Sequence, residues 1–158
     1  MITIYSIQEK DRPFVIQALK NFWGSEKIVY SGQVFDAGNL PGFLAKENER
    51  VVGLLTYCLA DDLLQIISIN ALTPGKGIGS MLIEKVKEIA NEKRMSKILV
   101  VTTNDNLSAV VFYQKSGFSV KHIRKGAVAL SRKVKPEIPL LGENGIPLED
   151  EIELELPV

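Results

Sequence analysis

The sequence predicts an α/β fold of the α+β kind, a mixed, mostly antiparallel sheet flanked by helices on both faces. Three observations predict it. Residues 43–72 read as three strands separated by tight turns. A glycine-rich loop, Pro74 to Ser80, then opens an amphipathic helix that runs to about Arg94. A short apolar run, Ile98-Leu99-Val100-Val101, follows the helix. Strand, helix and strand in succession imply a parallel pair with a right-handed crossover, added to an antiparallel meander.

The elements follow in chain order. Ile2, Ile4 and Ile7 nearly alternate and predict a first strand. Ser6 reads as a helix cap, with Glu9 completing a capping box. Phe14, Ile16, Ala18, Leu19 and Phe22 supply a helix to about Trp23, and Gly24 stops it. Residues 25–41 are mixed, broken by Gly32, Gly38 and Pro41, and yield no assignment. Phe43-Leu44-Ala45 reads as a strand, Asn48-Glu49 as a turn and residues 51–59 as the partner strand. Asp61-Asp62 is the next turn. Residues 63–72 are apolar almost throughout, which predicts a central strand covered on both faces.

Past the glycine loop, Ile78, Met81, Leu82, Val86, Ile89 and Ala90 fall on one helical stripe. A further helix is predicted over 107–115, ended by Gly117, with a strand over 118–123. Residues 126–135 read as a helix that stops before Pro136. Pro136, Pro139, Gly142, Gly145 and Pro147 punctuate a loop. Ile152, Leu154 and Leu156 then alternate with Glu151, Glu153 and Glu155. That pattern predicts a half-buried last strand with an acidic outer face. If exposed, such a strand gives a homodimer a pairing edge.

The totals bound the function. A chain of 158 residues suits a single domain over 1–158 with one core. Lys plus Arg and Asp plus Glu both number 19, so no general nucleic-acid footprint exists. One cysteine, Cys58, and one histidine, His122, leave no disulfide framework and none of the usual zinc sets. No apolar run is long enough for a membrane span, and the first residues lack a signal core. The expectation is a cytoplasmic protein with no metal, membrane or nucleic-acid partner.

Gly75, Gly77 and Gly79 occupy alternate positions between a buried strand and an amphipathic helix. Glycine permits positive φ and close approach of the backbone to a ligand. The first amides of a helix lack internal partners and carry partial positive charge. Together they form a seat for a phosphate or pyrophosphate. Lys76 adds a cation and Ser80 a hydroxyl donor. No Gly-Lys-Ser/Thr exists for a nucleotide P-loop, and the third glycine of a dinucleotide fingerprint is absent.

Gly75-Lys76-Gly77-Ile78-Gly79-Ser80 resembles the acetyl-CoA pyrophosphate loop of the GNAT family of N-acetyltransferases. A second match stands downstream. Asn106, Ala109, Phe112, Tyr113 and Gly117-Phe118 resemble that family's Asn, small residue, apolar-Tyr and Gly-Phe pattern. The resemblance covers roughly residues 43–123. It departs at Pro74, where the family usually has Gln or Arg.

The resemblance implies a GNAT-like fold, acetyl-CoA as cosubstrate and an amine acceptor. It places the pantetheine arm along the backbone of Ile69, Asn70 and Ala71, and the pyrophosphate on residues 75–80. Asn106, Ala109 and Phe112 join the cofactor side. Tyr113 becomes the acid that protonates the departing thiolate, which suits an unperturbed pKa of about 10. Asn106 reads equally as a helix cap before Leu107. The base stays open. The family's occasional glutamate corresponds to Gln65, which cannot act as one, leaving Asp62, Glu151, Glu153, a water chain or a substrate that binds already deprotonated. Trp23 and Phe35-Asp36 lie where the family forms its acceptor pocket. Cys58 and His122 read as packing or surface residues. The alternative function is a non-catalytic acyl-CoA-binding or regulatory module, permitted by Pro74 and Gln65.

Overall fold

The chain forms nine strands and four α-helices, and the computed structural model describes all of residues 1–158. The fold is mixed α/β, with a large, mostly antiparallel sheet and helices. The chain divides into two compact units. The first comprises residues 1–28, 36–98 and Val158; the second comprises 29–35 and 99–157.

In the first unit, strand β1 is Ile2–Ser6 and helix α1 is Arg12–Trp23. Ser6 is therefore strand, not a cap. The box forms two residues later, where the Gln8 N–H donates to the Asp11 carboxylate at 2.8 Å. The expected stop holds: Gly24 takes φ +78, a left-handed cap, and its N–H closes on the Lys20 carbonyl. The unassigned stretch after it contains two short strands, β2 (Lys27–Tyr30) and β3 (Gln33–Asp36), which pair as a ribbon whose residues 29–35 belong to the second unit. A 3-10 turn over Ala37–Asn39 follows. The Arg12 guanidinium donates to the Gly38 and Leu40 carbonyls at 3.2 and 2.6 Å and fixes that turn against α1.

The predicted meander is present as β4 (Gly42–Glu47), β5 (Arg50–Ala60) and β6 (Leu63–Ala71), with β1 on the outside of β4. All three pairings are antiparallel. Asn48 and Glu49 both take positive φ, as a tight hairpin turn requires. In β6, Ile66, Ile67 and Ser68 are buried in succession, so both faces of the strand are covered. Ser68 faces Thr56 across the β5–β6 pair, and their hydroxyls bond at 2.6 Å inside the core. Helix α2 (Ile78–Glu92) lays Ile78, Leu82, Ile83 and Val86 into the same core.

The second unit holds the Leu99-to-Thr103 part of β7 (Lys97–Thr103), then α3 (Leu107–Lys115), β8 (Ser119–Arg124), α4 (Ala127–Val134) and β9 (Glu151–Pro157). Its strand order is β7-β9-β8. The last strand is thus an interior strand, and the expected exposed edge belongs instead to β8, all six residues of which are exposed. The acidic outer face is also corrected. Glu151 is 2% exposed and Glu153 is 7% exposed. Each is buried by polar partners from distant positions: Ser31 for Glu151, and Arg124 at 2.7 Å for Glu153. No helix is long and apolar enough to cross a membrane.

Candidate active site

In the first unit, the glycine loop connects β6 to α2. Gly75 takes φ +80 and Gly77 takes φ +68, conformations that cost an L-residue about 1–2 kcal/mol. A Cβ at either would meet no atom within 4 Å, so the conformation, not crowding within the chain, demands glycine there. Gly77 caps α2, and its carbonyl accepts the first intrahelical bond, from the Met81 N–H at 3.1 Å. The amides of Ile78, Gly79 and Ser80 come before that bond and have no partner within the helix. They carry the positive end of a 15-residue helix dipole.

The helix is seated by a glycine that sequence reasoning passed over. A Cβ on Gly53 of β5 would lie 2.4 Å from Ile78 Cγ2 and 3.3 Å from Ala45 Cβ. Only a bare backbone lets the start of α2 lie this close to the sheet. The Ile78 side chain is core, so the loop presents its amide alone.

Lys76 has an ion-pair partner within the chain: its Nζ is 2.7 Å from Glu47 Oε1. The hydrogen bond from Lys76 holds the Glu47 carboxyl below the ordinary carboxylate range. The end of β6 lies in the same unit. Ile69, Asn70 and Ala71 pair with Leu55, Leu54 and Gly53 of β5. The Trp23 indole N–H donates to Asn70 Oδ1 at 3.1 Å, tying the end of α1 to the end of the central strand. Gln65 faces Cys58 across β5–β6. Burial pushes the Cys58 thiol up, away from thiolate formation. Asp62 stays in its turn and accepts from the Ser96 hydroxyl at 2.8 Å.

In the second unit, Asn106 caps α3: its Oδ1 accepts the Ala109 N–H at 3.2 Å. Tyr113 is 6% exposed. Its ring lies 5.3 Å from Phe112 and 5.6 Å from Phe118, both at inclined angles. The Phe118 N–H closes on the Tyr113 carbonyl at 3.0 Å, so the Gly-Phe step folds back on the tyrosine. Burial raises the Tyr113 phenol above its ordinary value and keeps it protonated.

Tyr30 was missed as a site neighbour, whereas Glu151 stands among the base candidates. Tyr30 is raised by burial first, then by its nearness to Tyr113 and to Glu151. The turn beside it, Ser31-Gly32, takes φ +48 and +78. Glu151 accepts from the Ser31 N–H at 2.7 Å and the Ser31 hydroxyl at 2.5 Å, while Gly32 N–H donates to Ser131 Oγ at 3.2 Å. A Ser-Gly pair between two alternating stretches is a hairpin signal. No local pattern announces that Glu151 is buried against Ser31. His122 is exposed on β8 and lies 3.7 Å from Glu153. No group of three or more His, Cys, Asp or Glu residues is placed to hold a metal.

A family model described as the acetyltransferase (GNAT) family matches residues 3–118. The Bacillus subtilis (strain 168) protein YxbD is 41% identical over 131 residues, covering 82% of each chain. YdhI of the same strain is 38% identical over the same shares. An IAA acetyltransferase from Bacillus cereus ATCC 14579 has the same fold, with TM-score 0.77 at 24% identity over 100% of both chains. A GNAT family acetyltransferase from Elizabethkingia anophelis, solved with acetyl-CoA bound, gives 0.71 at 23% identity over 99% of this chain and 98% of that one. A Bacillus subtilis acetyltransferase in complex with CoA gives 0.72 at 16% identity over 100% of this chain and 99% of that one. The class is therefore acetyltransferase. The chain belongs to the GNAT family.

Proposed function

We propose that the protein is an acetyl-CoA-dependent N-acetyltransferase that moves the acetyl group directly to a primary amine of a small molecule or peptide in a ternary complex. The observation that carries this reading is the Gly75–Ser80 loop, whose positive-φ glycines open a long helix and aim its unpartnered first amides outward. Family membership and the CoA-bound neighbours support acetyl-CoA as cosubstrate. The amides of Ile78, Gly79 and Ser80 hold the pyrophosphate. Gly75 and Lys76 shape the loop, with Lys76 divided between Glu47 and the ligand. The backbone of Ile69, Asn70 and Ala71 takes the pantetheine arm, and Asn106, Ala109 and Phe112 contact the cofactor from α3.

The reaction joins the amine nitrogen to the thioester carbonyl carbon and breaks the C–S bond. Backbone amides stabilise the oxyanion. Tyr113 gives its proton to the departing thiolate; burial holds that proton in place until the step, while making the phenol a weaker acid. The amine loses its proton to water, since Gln65, at the position where the family resemblance implies an occasional glutamate, supplies no carboxylate. Trp23, fixed by Asn70, borders the acceptor.

The test is thiol release from acetyl-CoA across a panel of small amines, polyamines, aminoglycosides and peptides. Release with at least one amine, abolished by acetylating that amine beforehand, is expected. Acetyl-CoA that neither shifts the melting temperature nor yields thiol with any acceptor overturns the reading.

A further inference from the structure

The residues after α4 form a small closed hairpin. Leu148 N–H bonds the Leu140 carbonyl at 2.9 Å and Gly142 N–H bonds the Ile146 carbonyl at 2.8 Å, with Leu141 bridged to Pro147. Its tip is a 3-10 turn over Glu143–Gly145. The Arg132 guanidinium grips both arms: it donates to the carbonyls of Ile138 at 3.2 Å, Pro139 at 2.8 Å and Leu148 at 2.8 Å. A segment rich in proline and glycine is thereby made rigid.

That hairpin is joined to the β7–α3 turn at two points. At its base, Asn104 bonds four times. Its N–H reaches the Asp150 carbonyl at 3.0 Å, and its Nδ2 the Pro147 carbonyl at 2.8 Å. Its Oδ1 accepts the Glu149 and Asp150 amides, each at 3.0 Å. At the tip, Asp105 is 5% exposed and its two oxygens are divided. Oδ1 accepts Thr103 Oγ1 at 2.5 Å within the turn, and Oδ2 accepts the Glu143 N–H at 2.9 Å across to the hairpin. The approach is so close that a Cβ on Gly142 would lie 2.1 Å from that Oδ2. The next residue in the chain is Asn106.

We propose that the 140–148 hairpin is a brace for the cofactor side of α3, with Asn104 and Asp105 as the positioning residues that hold Asn106 in place. The inference rests on the cofactor role given to Asn106 above. Nothing in the capping of α3 requires this network: Asn106 caps through its own side chain and Ala109. A buried carboxylate and a four-bonded asparagine fix the turn more tightly than a helix start needs. Asn106 is carried on the turn that this network fixes, so the network sets where its amide meets the cofactor.

The experiment measures the acetyl-CoA Kd by calorimetry and the KM of the best acceptor from the amine panel, on the full chain. The variants are Gly142→Ala, Asp105→Ala, Asn106→Ala and the two double variants with Asn106→Ala; melting temperatures are taken alongside. Gly142→Ala is expected to weaken acetyl-CoA about tenfold and leave the acceptor KM unchanged. In the Asn106→Ala background the same change is expected to have no further effect. If Gly142→Ala does not fold, Asp105→Ala carries the same expectation, because it removes the acceptor of the Glu143 N–H. Folded single variants that bind acetyl-CoA like the parent overturn the brace. So does a tenfold loss that persists undiminished after Asn106→Ala. An Asn106→Ala protein that itself binds acetyl-CoA like the parent overturns the cofactor role of Asn106, and the brace with it.

Discussion

Glu151 receives two hydrogen bonds from one residue, Ser31: the backbone N–H at 2.7 Å and the hydroxyl at 2.5 Å. The residues are 120 positions apart, and the carboxylate is buried. The pair clips the tip of the β2–β3 ribbon to β9 within the second unit. Tyr30 is the residue just before the clip. Replacing Glu151 by Ala leaves both Ser31 donors without an acceptor. The expected loss is ~2–4 kcal/mol of unfolding free energy, read from urea melts. Glu151→Gln keeps an acceptor oxygen and is expected to lose less than half as much. Equal losses for the two variants would show that the charge of the carboxylate, not its shape or a single acceptor oxygen, holds the clip.

Tyr113→Phe removes the proposed acid but keeps the ring between Phe112 and Phe118. Turnover is expected to fall by about tenfold or more while the acetyl-CoA Kd holds. Stability should also report on this residue through pH. Tyr113 and Tyr30 are both raised in the folded state, chiefly by burial. Stability tied to a raised pKa is fully present below the unfolded value and lost as pH rises through the folded one. The loss therefore begins above the unfolded tyrosine value of about 10, at up to ~1.4 kcal/mol per pH unit for each group. Tyr113→Phe should flatten that alkaline slope, as measured by denaturant midpoints from about pH 9 to 11. An unchanged slope would show that the phenol is not held neutral by folding.

Gly77→Ala forces a Cβ onto φ +68 with open space around it. The penalty is conformational, ~1–2 kcal/mol. The helix start relieves it by shifting, which misaligns the amides of Ile78 and Gly79. Acetyl-CoA affinity is expected to drop about tenfold or more, with the melting temperature lowered by only a few degrees. Calorimetry beside a thermal melt separates the two effects.

Gly53→Ala tests the seat of α2. The new methyl meets Ile78 Cγ2 at 2.4 Å, and overpacking of this kind costs ~1–3 kcal/mol. Ile78→Ala alone opens a cavity and costs ~2–5 kcal/mol. The double variant should be more stable than the sum of the two losses predicts, because each change relieves the other. Simple additivity in urea melts would mean that the glycine is not holding the helix against the strand.

Much of this architecture is legible in the residues. The bounds of α3 coincide with Asn106 and Gly117 because a capping asparagine and a left-handed glycine are local chemistry. The β4–β6 meander is readable because its turns, Asn48-Glu49 and Asp61-Asp62, are short and its strands apolar. The β2–β3 ribbon escapes because its strands have four residues each, too few for a period to emerge. Ser6 looks like a cap because the rule concerns spacing, and Gln8 with Asp11 satisfies the same rule two residues on. The site divides in the same way. The glycine loop and the Asn106–Tyr113 stretch are contiguous and announce themselves. The partners that modify them are remote: Glu47 on Lys76, Ser31 on Glu151, Gly142 on Asp105. Alternation alone puts the glutamates of β9 outside, since a pattern cannot show that distant donors will bury them.

The place of β9 carries a consequence for how the molecule is made. It lies between β7 and β8, yet it is synthesised after both. Until residues 151–157 leave the ribosome, those strands have no common neighbour and their facing edges stay bare. The second unit therefore cannot close while its own chain is still emerging, and its completion waits on the threading of one late strand. Long-range pairings of this kind are slow to form and are exposed to mispairing in the interval. The first unit's meander joins neighbours in chain order and is free of that delay.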